Sequence, residues 1–111
     1  NTAIYMRRAL GGKHQVSFVS VIGTDTLSDH ILKFVTYEGI STDALLRDSK
    51  RLPGVYAVST DSAGERSFLY WRENSAARLM FQNEGQSCFD VLEGFDVVFL
   101  SGITLAILPA F

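Results

Sequence analysis

Cysteine, long apolar runs and an excess of either charge are all scarce in this sequence, and each absence excludes something. The single thiol, Cys88, cannot close an intrachain disulfide and has no metal-ligand neighbours at useful spacing. A reducing, cytoplasmic setting is the expectation that follows. Ten basic against twelve acidic side chains leave a net charge of −2, with no basic field to favour nucleic acid or an anionic membrane. No apolar run approaches the ~18 residues of a membrane span, and no basic, apolar, small-residue leader is present. Nucleotide fingerprints are missing too: there is no Walker-type loop and no G-x-G-x-x-G. Gly11-Gly12 has the wrong spacing for either and reads as a helix stop. Ser101-Gly102 lacks the G-x-S-x-G frame of a nucleophile elbow. His14 and His30 lie far apart, outside any metal-binding pattern, and read as surface residues. No acid, base or nucleophile stands out as catalytic.

What is present is ordinary in bulk: 111 residues, 47% hydrophobic and 20% charged, about one domain. The chain begins at Asn1, without Met and already in a helical pattern. It stops at Phe111, just after a hydrophobic run enters a new turn. Both ends read as cut, so the expectation is a fragment of a larger protein.

Residues 1–10 carry Ala3, Ile4, Met6, Ala9 and Leu10 at helical spacing, ahead of Gly11. Val16 to Ile22 reads as a buried strand ended by Gly23. Thr24-Asp25-Thr26 offers N-cap residues for a helix over about 26–38, with Leu27, Ile31, Leu32, Phe34 and Val35 on one stripe and Gly39 as its C-terminal cap. Asp25 could instead be a binding position, since it follows a strand and a glycine. Ile40 to Leu46 reads as a connection. Ala76 to Met80 predicts a short helix or turn, and Cys88 to Leu92 another, ended by Gly94. Asp96 to Leu100, apolar after its first residue and without alternation, predicts a strand buried on both faces and ending at Ser101-Gly102. Strands separated by helices imply a doubly wound α/β layer.

One stretch interrupts that alternation. Residues 52–60 and 66–72 are rich in β-branched and aromatic side chains and flank the polar loop Asp61-Ser62-Ala63-Gly64-Glu65, which predicts a β-hairpin. With the five loop residues unpaired, Thr60 opposes Arg66, Val58 opposes Phe68, Tyr56 opposes Tyr70 and Gly54 opposes Arg72. Tyr56, Phe68, Tyr70 and Arg72 then share one face, with a gap over Gly54. Two phenols and a planar fork of donors suit a polar ligand bearing a carboxylate. Aromatic cross-strand pairs also stabilise sheets that bind nothing.

Four stretches together resemble the ribokinase-like family of carbohydrate kinases, and within it the members acting on 2-keto-3-deoxygluconate. They are Asn1-Thr2-Ala3, Val21-Ile22-Gly23-Thr24-Asp25, the two hairpin strands Leu52 to Tyr56 and Gly64 to Arg72, and Leu100 to Leu108. The resemblance covers essentially the whole chain. It implies the N-terminal part of a ribokinase-like α/β domain over residues 1–111, with residues 52–73 an inserted β-hairpin lid. It implies transfer of the ATP γ-phosphoryl group, with Mg2+, to a sugar acid held between body and lid. Asn1, Tyr56, Tyr70, Trp71 and Arg72 would contribute to the sugar site. In lid-bearing members the lids also pair between subunits, which implies a homo-oligomer. The paired glycines that precede the Asn and the Gly-Ala-Gly-Asp element carrying the catalytic base are not in this sequence. The 111 residues are therefore expected to hold part of the acceptor site, no catalytic residue and no activity alone. The alternatives are a kinase of another sugar such as fructose, or a non-catalytic α/β module that associates through its aromatic hairpin.

Overall fold

The structure, a computed structural model, describes residues 1–82 and 88–109. Helix α1 spans Thr2–Leu10 and stops where Gly11 takes a left-handed φ of 57°, its N–H donating to the Arg7 carbonyl at 3.3 Å. Strand β1, Ser20–Ile22, leads through helix α2, Thr26–Tyr37, to strand β2, Leu45–Arg47. The two strands pair in parallel, Ser20 with Leu45 through Ile22 with Arg47. This β–α–β unit is the body of the molecule.

Two corrections to the sequence reading fall here. The strand expected over Val16 to Ile22 is regular only in its last three residues, although Ser17 forms an isolated parallel bridge with Ser41. The supposed connection Ile40 to Leu46 contains most of β2. Three residues show too little pattern to declare a strand; pairing with β1 makes one.

Helix α2 ends as expected. Gly39 adopts φ 72°, the Gly39 N–H donates to the Thr36 carbonyl, and the Ile40 N–H reaches back to Val35. Val35 and Ile40 then pack with Val16, and Ala3, Ile4 and Leu10 of α1 close over that cluster. A second cluster joins Val21 of β1 to Ala76 and Met80. These two clusters bury β1 and the residues leading into it.

The hairpin is rooted in that second cluster. Ala76, fully buried at the start of a 3₁₀ turn over Ala76–Leu79, donates its N–H to the Leu52 carbonyl at 2.8 Å. Beyond this anchor, strands β3, Val55–Thr60, and β4, Arg66–Trp71, form an antiparallel ribbon whose residues are all exposed. Asp61 builds the turn, its carboxylate accepting the Ala63 and Glu65 N–H groups at 2.9 Å each. Gly64 supplies the left-handed residue at φ 85°.

Helix α3 covers Cys88–Leu92 and helix α4 covers Gly102–Ile107, where only a turn was expected. Ser101 caps α4, its hydroxyl accepting the Thr104 N–H at 3.2 Å. The strand expected at Asp96 to Leu100 does not form, and its burial on both faces is contradicted: Val97 is 78% and Phe99 63% exposed. An apolar run becomes a strand only beside a ladder partner, and among the described residues no strand pairs with it.

Candidate functional site

The hairpin register agrees with the count made from sequence. Thr60 opposes Arg66, Val58 opposes Phe68 and Tyr56 opposes Tyr70. Alternation along each strand puts Tyr56, Phe68 and Tyr70 on one face, and their rings form a continuous group. Tyr56 lies 6.3 Å from Phe68 and 6.2 Å from Tyr70, both tilted, while Phe68 and Tyr70 stack at 6.0 Å with 9° between planes. Arg72 extends the row: its guanidinium carbon sits 4.2 Å from the Tyr70 ring centre. A cation over an aromatic face is held by the ring quadrupole. Among the described residues, no carboxylate pairs with Arg72. The face therefore presents two phenolic hydroxyls and an unneutralised donor fork, a combination able to bind a hydroxylated anion.

Trp71 stands elsewhere. It pairs with Val55 and so faces the opposite side of the ribbon from Tyr56, Tyr70 and Arg72. There it is 63% exposed beside Leu69 and Val55, which are 59% and 44% exposed. Asn1 is apart as well. It precedes α1 without a side-chain capping hydrogen bond and lines a cavity of about 740 Å3 bounded by α1, the approach to β1 and the segment around Phe99. No hairpin residue lines that cavity. The structure thus brings Tyr56, Tyr70 and Arg72 together, and leaves Trp71 and Asn1 in different surroundings.

Two residues that the sequence placed on this face were given no ligand role there. Phe68 supports the Tyr70 ring, and Gly54 lies under Arg72. The period-2 pattern had placed both correctly; nothing in composition distinguished them from filler.

Asp25 is a helix cap. Its carboxylate accepts the Ser28 N–H at 3.1 Å and the Ser28 hydroxyl at 2.7 Å, while the Gly23 N–H donates to that same hydroxyl at 2.7 Å. The Ser28 hydroxyl holds the Asp25 carboxyl below its ordinary value of 3.8, against a weaker opposing effect of partial burial. Gly23 is dictated by crowding, since a Cβ there would strike the Asp25 carboxylate and the Arg51 carbonyl. His14 and His30 are exposed. Among the described residues, no three His, Cys, Asp or Glu side chains are placed to hold a metal ion. Nor, among them, is any helix long and apolar enough to cross a membrane.

A parallel β–α–β body carrying an exposed antiparallel ribbon fits the α/β kinase fold that the sequence implied, and comparison with known folds supports it. A pfkB-family carbohydrate kinase from Listeria grayi superposes with a TM-score of 0.76 over 96% of this chain and 32% of its own, at 22% identity. The fructokinase of Xylella fastidiosa with bound ATP matches with a TM-score of 0.60 at 32% identity, over 69% of this chain and 23% of its own. In sequence, the model of the pfkB family carbohydrate kinases matches residues 1–110, and the chain belongs to that family. It is 46% identical over 111 residues to the 2-dehydro-3-deoxygluconokinase of Haemophilus influenzae, which covers 98% of this chain. The chain spans about a third, 35%, of the length of that relative.

Proposed function

We propose that this chain provides the acceptor-sugar side of a kinase that transfers the ATP γ-phosphoryl group to 2-keto-3-deoxygluconate, the compound also called 2-dehydro-3-deoxygluconate. The observation that carries the reading is Arg72. Its guanidinium lies over Tyr70 without a carboxylate partner among the described residues, on a face bearing two phenols. A sugar acid supplies what is missing: a carboxylate for the fork and hydroxyls for Tyr56 and Tyr70. The charge-assisted pair is shorter and about twice as strong as a neutral hydrogen bond, and a neutral sugar offers no equivalent. The relatives named 2-dehydro-3-deoxygluconokinase support the same substrate.

In this reading residues 52–73 act as a lid over the sugar, and Asn1 approaches the sugar from the start of α1. ATP serves as phosphoryl donor with Mg2+. In this reading both bind chiefly to other parts of the complete enzyme, as the family resemblance implies. Isolated residues 1–111 are expected to show no ATP-dependent turnover. We propose a cytoplasmic setting for the reaction, the reducing compartment that a single cysteine leads one to expect.

A second reading is favoured by the opposite face of the ribbon. Val55, Leu69 and Trp71 expose apolar surface there, and an isolated two-stranded ribbon is only marginally stable. This is the face we assign to association between subunits, with Trp71 as its centre.

Coupled ADP release by the full-length protein with Mg-ATP tests the proposal, comparing 2-keto-3-deoxygluconate with fructose and ribose. Preference for the sugar acid is the expected result. Preference for a neutral sugar keeps the fold and discards the substrate; no turnover with any of them leaves association as the hairpin's role.

A further inference from the structure

We infer that Gly54 and Phe68 are specificity-determining positioning residues, acting through Arg72 to aim its guanidinium at the acceptor's carboxylate. The inference rests on reading the hairpin face as the acceptor site, and it adds two residues which that reading does not use.

An arginine side chain has many rotamers, and its fork recognises a carboxylate only when both lie near one plane. Something must select the rotamer before the ligand arrives. The first selector is the ring beneath it. Arg72 lies 4.2 Å from the centre of Tyr70, so the orientation of that ring sets the orientation of the guanidinium. Tyr70 is exposed and would turn freely about its own side-chain bonds, but Phe68, two residues earlier on the same strand face, stacks against it at 6.0 Å and 9°. Phe68, Tyr70 and Arg72 thus form a file in which each member fixes the next.

The second selector is a missing side chain. A Cβ at Gly54 would stand 3.1 Å from the Arg72 Cβ and 3.4 Å from the Ser75 Cβ. Ser75 is buried, 6% exposed, at the root of the hairpin and has little room to yield, so the displacement would fall on Arg72. Gly54 has no left-handed φ, so the reason for glycine here is room rather than backbone freedom.

Gly54→Ala and Phe68→Leu, each made in the full-length kinase alone and together with Arg72→Ala, test the inference. Each single change should raise KM for 2-keto-3-deoxygluconate about threefold to tenfold, with KM for ATP unmoved. Neither should add to the loss in the Arg72→Ala background, and Phe68→Tyr should restore the stack and the KM. An equal rise with and without Arg72 would overturn the inference, because a merely structural effect does not need the guanidinium. Proton NMR supplies a readout independent of substrate. The Arg72 side-chain protons, shifted upfield by the Tyr70 ring, should move toward their random-coil positions in both variants. Unchanged shifts in both would also overturn it. If those shifts respond but the wild type takes no sugar acid, the acceptor reading fails while the positioning of Arg72 stands. If the wild type takes the sugar acid and neither variant alters its KM, the positioning fails while the acceptor reading survives.

Discussion

The molecule contains two paired-strand units built in opposite ways. β1 is three residues long, buried at every position, and paired with a strand that local sequence did not declare. The β3–β4 ribbon is six residues long on each side, exposed at every position, and declared by its own pattern. The body is held by what surrounds it: Val21 is 1% exposed against Ala76 and Met80. The ribbon is held by its own ladder, its Asp61 turn and its ring contacts. Side chains in the first unit are committed to packing, whereas those in the second remain available to a ligand or a partner.

That contrast predicts a separation of effects. Val21→Ala should cost about 2 kcal/mol of stability, seen as a lower midpoint in urea, by removing buried methyl groups from the β1 cluster. Tyr56→Phe, which keeps the ring and removes only an exposed hydroxyl, should change stability by less than about 0.5 kcal/mol while raising KM for the sugar acid severalfold. A midpoint shift for Tyr56→Phe as large as that for Val21→Ala would break the comparison. The smallest effect belongs to the junction after β1. Because the folded pKa of Asp25 is lowered, its contribution is fully present above the ordinary value of 3.8 and is lost as pH falls through the lower folded value. Wild type should therefore exceed Asp25→Asn in melting temperature at neutral pH, and the gap should narrow below pH 3.8. A gap constant with pH would remove the Asp25 charge from the capping network.

The ribbon was legible in sequence because its information is local. Alternation, five loop residues and Gly64 suffice to set which side chain opposes which, and the pairing of Tyr56 with Tyr70 follows. The Asp25 cap and the Gly11 and Gly39 stops are local for the same reason. β2 was illegible because Leu45–Arg47 becomes a strand only by lying beside Ser20–Ile22. Residues 96–100 misled in the other direction: apolar content was read as burial, yet burial requires a neighbour the segment does not name. Within the candidate site, the face of each residue was readable, but the stack of Arg72 on Tyr70 and the crowding at Gly54 depend on ångström-scale placement.

Arg72 is proposed to read the carboxylate of a sugar acid. The most direct test of that role is the KM for 2-keto-3-deoxygluconate in the full-length protein, measured by coupled ADP release for wild type and Arg72→Ala. Loss of a charge-assisted pair predicts a rise of about tenfold to a hundredfold, with the KM for ATP and the melting temperature little changed. An unchanged KM for the sugar acid would contradict the account.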